Sequence, residues 1–87
     1  MPQTDFELSQ HAVEEMDNRQ ISKDIVEDVV QRPLQKFLLD EEIEIRQSII
    51  KFENMKEYLV RVFINVKKQP NLVITVYRTS KINKYLI

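Results

Sequence analysis

Residues 58–79 read YLVRVFINVKKQPNLVITVYRT. In this stretch Tyr58, Val60, Val62, Ile64 and Val66 alternate with Leu59, Arg61, Phe63 and Asn65. A period of two is that of a β-strand, here with one apolar face and one face interrupted by a charge. Residues 72–79 repeat the alternation. Leu72, Ile74, Val76 and Arg78 take one side, and Val73, Thr75, Tyr77 and Thr79 the other. KKQPN at 67–71 has the composition of a turn, and strands joined so closely pair antiparallel. Upstream, ENMKE at 53–57 is a second turn, preceded by IEIRQSIIKF at 43–52. That segment alternates through Ile43 and Ile45 and changes phase at Gln47–Ile49, which predicts a bulge. QKFLLD at 35–40 reads as a short strand.

The N-terminal part has a helical period instead. Leu8, Ala12 and Met16 recur every four residues, and Ser9 is the expected N-cap after an extended lead-in through Phe6 and Leu8. Thr4 with Glu7 is an alternative capping box that would start the helix earlier. This helix fades near Arg19. Ser22 caps a second helix, with Asp24 in its first turn and Ile25, Val26, Val29 and Val30 as its buried stripe. Pro33 stops it. The tail SKINKYLI is read as a short helix or a last extended piece. The order predicts one α+β domain over residues 1–87: two N-terminal helices packed on one face of a curved antiparallel sheet of four strands, within a range of three to five.

Composition narrows the chemistry. The 87 residues include no Cys, which rules out disulfides and thiolate catalysis, and no Gly, which rules out the Gly-rich phosphate loops. One His and no Cys do not make a usual zinc site, and no metal or cofactor is expected. MPQTDFELSQ is acidic without an apolar run, so it does not read as a signal peptide. No stretch approaches the roughly 18 apolar residues of a membrane span. A cytoplasmic location is the expectation. Oligomeric state is not readable.

Charge is uneven along the chain. Residues 1–44 carry twelve acids and four bases, and residues 45–87 carry nine bases and two acids. If folding keeps the halves apart, the second presents a basic surface whose natural partner is a polyanion. If folding interleaves them, the field cancels.

Three groups of residues can carry chemistry. His11, the only His, occupies the second position of the first helix, where the macrodipole disfavours imidazolium. A neutral imidazole half-buried at the edge of the apolar stripe can act as a general base, although a lone His is more often structural. Glu15 and Arg19 follow His11 at intervals of four, so all three share a helix face. They form either an ordinary i,i+4 ion pair or an Arg held beside a phosphate. Arg61 interrupts an apolar face and must be either paired or lining a wet groove. Together with Thr75, Tyr77, Arg78, Thr79, Ser80 and Lys81 it could hold RNA phosphates and stack a base, or simply guard a solvated sheet edge.

HAVEEMDNRQIS at 11–22, Pro33 and ITVYRTSKINKY at 74–85 resemble domain-of-unknown-function family 4258. That family is grouped with the RelE- and BrnT-type toxins and the compact fold of barnase- and colicin-like ribonucleases. The resemblance implies a RelE-like fold and a metal-independent endoribonuclease of a toxin–antitoxin or mobile-element system. Its partners would be RNA and a small antitoxin-like protein. The alternative is a catalytically inactive RelE-like domain that binds a protein or a nucleic acid. Carried onto this chain, the resemblance points to His11, Arg19, Tyr77 and Lys81 as catalytic. Arg61, Thr75, Arg78, Thr79 and Ser80 would then contact substrate. Many members carry an Arg where Glu15 stands and a Gly where Gln20 stands.

Overall fold

The computed structural model describes residues 6–87. Thr4, and with it the alternative capping box, lies outside the described residues. The chain order is β1 (Phe6–Leu8), α1 (Gln10–Asn18), α2 (Lys23–Gln31), β2 (Gln35–Leu38), β3 (Ile43–Lys51), β4 (Glu57–Asn65), β5 (Asn71–Thr79) and α3 (Ile82–Tyr85). The strands form one mixed sheet in the order β1-β5-β4-β3-β2.

Both long helices start where the sequence places their caps. The Ser9 hydroxyl accepts from the Ala12 N–H at 3.0 Å, and the Ser22 hydroxyl accepts from the Ile25 N–H at 3.2 Å. Each cap satisfies one of the amide donors that a helix leaves free at its start. The first helix closes with a Schellman turn. The Ile21 N–H donates to the Met16 carbonyl at 2.8 Å and the Gln20 N–H to the Asp17 carbonyl at 3.3 Å. Buried Ile21 and partly buried Met16 join the core beside this turn. A Schellman turn needs φ > 0 at the residue after the C-cap, and Gln20 has φ 55°. Glycine takes that conformation without strain, whereas a side chain with a Cβ does not.

β4 lies at the centre of the sheet. Val60, Val62 and Ile64 form one apolar cluster with Val73 and Val76 of β5, Ala12, and the helical Val26, Val29 and Val30. Leu59, Arg61 and Phe63 alternate with the first set and so point to the other side of the sheet. Ile45 lies opposite Phe63 and is buried on that second face with Leu59.

Three expectations about the sheet are corrected. The sheet is not wholly antiparallel, because the lead-in Phe6–Leu8 pairs parallel with Asn71–Val73 of β5. Ser9 ties this corner to β5: its N–H donates to the Val73 carbonyl at 3.0 Å and its hydroxyl to the Ile74 carbonyl at 2.8 Å. The bulge is not in β3, which pairs with β4 in unbroken register from Ile43↔Asn65 to Lys51↔Glu57. It lies between β4 and β5, where Phe63 faces Thr75 but Ile64 faces Val73. The extra residue inverts the first half of β5. Val73 therefore enters the same core as Val76 instead of facing with Thr75 and Tyr77.

Replacing Gln20 by Gly is expected to raise stability by about 1 kcal/mol, because it relieves a left-handed residue that carries a Cβ. Urea denaturation of the native chain and of Gln20→Gly measures the difference. An Ala at the same position should recover none of it.

Candidate functional site

The register of the central strands sets three polar residues in a row. Gln47 of β3 lies opposite Arg61 of β4, and Arg61 lies opposite Tyr77 of β5. All three point to the second face. Arg61 Nε donates to Gln47 Oε1 at 2.8 Å, and its Nη1 donates to the Tyr77 hydroxyl at 2.7 Å. Gln47 is fully buried and Arg61 is 8% exposed. The Gln47 amide donates in turn to Gln35 Oε1 at 2.8 Å and to the Tyr85 carbonyl at 3.1 Å. This network accounts for the phase change in the sequence of β3. Ile45 faces the second side, but the next position on that side is Gln47, which has a buried guanidinium to satisfy.

Among the described residues Arg61 has no carboxylate partner. The three ion pairs among the described residues are Arg19–Glu15, Arg32–Asp28 and Arg46–Glu44. The charge of Arg61 is met by neutral oxygens and by rings. Its Cζ lies 4.4 Å from the Tyr85 ring centroid, 5.6 Å from that of Phe63 and 5.8 Å from that of Tyr77. Cation–π contacts of this kind gain strength as water is removed. The result is a fixed, mostly desolvated positive charge that is not neutralised by an acid.

A second guanidinium approaches the same ring. Arg19, the C-cap of α1, sets its Cζ 5.8 Å from the Tyr77 ring centroid. Its Nε donates to Glu15 Oε1 at 2.7 Å. That hydrogen bond is the main reason the Glu15 carboxyl titrates below the ordinary glutamate value; the charges of Arg19 and His11 act in the same direction. His11 lies one turn before Glu15 on this helix face. It is exposed rather than half-buried, since Ala12 takes the inward position. Among the described residues no hydrogen bond joins His11 to Arg61 or Tyr77.

The other candidates divide. Thr75 and Thr79 lie opposite Phe63 and Leu59 and share the face of Tyr77. The Thr79 hydroxyl accepts from the Lys81 N–H at 3.1 Å, at the entry to α3, where Ser80 and Lys81 are exposed. Arg78 is on the opposite face. It stacks on Phe52 and Tyr58, at 4.2 and 4.6 Å from the ring centroids. There it lines a groove of about 760 Å³ together with Met16, Ile21, Ile25 and Phe52. Arg61, Tyr77 and Arg19 thus come together, while Arg78 serves a separate surface. Sequence reasoning passed over Gln47 and Tyr85. The phase break at 47–49 was the available signal for the first; Tyr85 has none, since a tail aromatic carries no register.

These features define a small α+β domain with a cation–aromatic cluster on one sheet face. The family model described as domain of unknown function (DUF4258) matches residues 8–78, and the chain belongs to that family. No curated protein and no solved structure matches the chain. No helix among the described residues is long and apolar enough to cross a membrane.

Tyr77→Phe removes the hydroxyl that meets a buried charged donor. Such a loss is expected to cost about 1.5–3 kcal/mol in denaturant unfolding. A second expectation concerns Glu15. Its native pKa lies below its unfolded value, so ionised Glu15 stabilises the fold above the ordinary glutamate range. This contribution is lost as pH falls through the native pKa. In Arg19→Gln the Glu15 midpoint should return towards the ordinary value in a carboxyl NMR titration.

Proposed function

We propose that this protein is a RelE-like domain acting on RNA, with both N-terminal helices packed on one face of the sheet and the Arg61 face turned to the ligand. The single observation that carries this reading is the buried Arg61, fixed by Gln47 and Tyr77 and without an ion pair among the described residues. A desolvated guanidinium with no carboxylate is well matched to a phosphodiester, and fork-like donors suit phosphate oxygens. Arg19 on the Tyr77 ring supplies a second cation, and Lys81 beyond Thr79 a third. Thr75, Thr79 and Ser80 offer hydroxyls along the same strand end, and Tyr77 and Phe63 offer ring surface to a base.

In the ribonuclease reading His11 takes the proton of a ribose 2′-hydroxyl. The 2′-oxygen attacks phosphorus, and Arg19 and Arg61 stabilise the phosphorane charge. The bond to the 5′-oxygen breaks, and that oxygen takes a proton from Tyr77 or Lys81. The products are a 2′,3′-cyclic phosphate and a 5′-hydroxyl, with no metal required. The setting would be a toxin–antitoxin or mobile-element system in the cytoplasm, with a small antitoxin-like protein as partner.

The inactive, RNA-binding alternative is favoured by one observation. The Glu15 carboxylate lies 2.7 Å from Arg19 Nε, so it neutralises the second cation beside Tyr77 and would repel phosphate. Cleavage of a short RNA, followed with native, His11→Ala and Glu15→Arg protein, separates the two. In the ribonuclease reading His11→Ala lowers the rate by about 10²–10⁴ without loss of fold. In the binding reading native protein leaves the RNA intact, and Glu15→Arg tightens binding. Each phosphate contact should contribute about 0.7 to the slope of log affinity against log salt. A flat salt dependence would remove RNA from both readings.

A further inference from the structure

A guanidinium that is 8% exposed cannot meet a phosphate unless something over it moves. Gln47 and Tyr77 hold Arg61 from neighbouring strands and move only with the sheet. Tyr85 is different. It belongs to the C-terminal segment, its ring is nearest to the Arg61 Cζ at 4.4 Å, and no strand pairing holds it.

The attachment of this segment is slight. α3 is a single turn of four residues with none buried, and its N-cap Lys81 makes no side-chain capping bond. Helices this short have little stability of their own. The segment is pinned by the Gln47 amide to the Tyr85 carbonyl and, at its end, by Gln35. Gln35 donates through Nε2 to the Ile87 carbonyl at 2.8 Å and accepts through Oε1 from the Ile87 N–H at 3.1 Å. Water can replace hydrogen bonds at so exposed a segment. The Ile87 side chain beyond them is 80% exposed. Segments with few buried apolar contacts open at low free-energy cost.

We propose that residues 82–87 form a strap over an occluded phosphate site, with the Tyr85 ring standing in for the anion on the Arg61 guanidinium. Strap opening uncovers a site already organised by Gln47, Tyr77 and Phe63. A phosphate group then replaces one cation–π contact with charge-assisted hydrogen bonds, which are stronger. Native affinity for phosphate is reduced by the fraction of molecules in which the strap is open. The proposal rests on the reading of this face as a phosphate site and gives it a regulated entrance. Nothing in the geometry requires a second protein for opening; the ligand itself can select the open form.

The test measures inorganic phosphate and a hexauridylate binding separately to the full chain at about 50 mM salt, where screening is modest. Tyr85→Ala should tighten phosphate binding by about tenfold, as expected when a mostly closed site is held open. Tyr85→Phe, which keeps the ring, should leave it unchanged. Arg61→Lys added to Tyr85→Ala should abolish the gain. Equal or weaker phosphate binding by Tyr85→Ala overturns the strap. If Tyr85→Ala fails to fold, the native chain decides. Phosphate, compared with chloride at equal ionic strength, should speed hydrogen exchange of the Leu86 and Ile87 amides, and unchanged exchange overturns the proposal. A gain for phosphate without any hexauridylate binding keeps the strap and discards the RNA reading.

Discussion

A guanidinium in the middle strand of a five-stranded sheet is the constraint around which the second face is organised. Burying an unneutralised charge is expensive, and every donor left dry adds to the cost. The register answers with a neighbour on each side: Gln47 supplies a carbonyl oxygen and Tyr77 a hydroxyl. Gln47 then has an amide to satisfy, which draws in Gln35 and the backbone of Tyr85. Gln35 in turn holds the end of the chain. Edge strand, two inner strands and C-terminal turn are thus linked through one side chain. No buried polar side-chain atom among the described residues is left without a partner. An aspartate at position 47 would meet the charge more directly. Its absence leaves the cluster net positive.

The two positions at which the family resemblance implies other residues, Glu15 and Gln20, meet at the last turn of α1. Gln20 occupies a backbone conformation that glycine takes freely, so the Gly that the resemblance implies at this position would have a conformational reason. Glu15 acts by charge instead. It holds Arg19 in an ion pair beside Tyr77, where an Arg would add to the cation cluster. One residue touches stability and the other electrostatics, although they lie five residues apart on one turn-capped helix.

The legible parts of the fold were those with strong local physics. Ser9 and Ser22 cap as read, and the valines of α2 are buried as their spacing requires. β4 alternates cleanly because apolar residues fill one face of it without interruption. The first half of β5 is ambiguous in sequence because Leu72, Val73 and Ile74 are all apolar, so either phase fits and only the neighbour's register decides. β1 has three residues, too few to show a period, and its parallel partner lies at the far end of the chain. In the site, the pairing of Arg61 with Tyr77 follows from strand adjacency, which alternation predicts. Arg78 was grouped with Tyr77 by proximity in sequence, yet successive residues of a strand face opposite ways. The role of Gln47 is not readable from the sequence, because a buried amide is recognisable only once its charged neighbour is known.

The Ser9 hydroxyl and the Ile74 carbonyl it bonds are 65 residues apart. β3, β4 and β5 follow one another through short turns and can zip as successive hairpins. β1 and α1 cannot join them until β5 exists, and closing so long a loop carries an entropy cost that only later contacts recover. On a ribosome, β1 emerges before β5 and must wait for it. Until then Phe6, Leu8 and Ala12 lack their partners in β5, and they lie in the half of the sequence richer in acids. A surplus of negative charge works against self-association of such a segment.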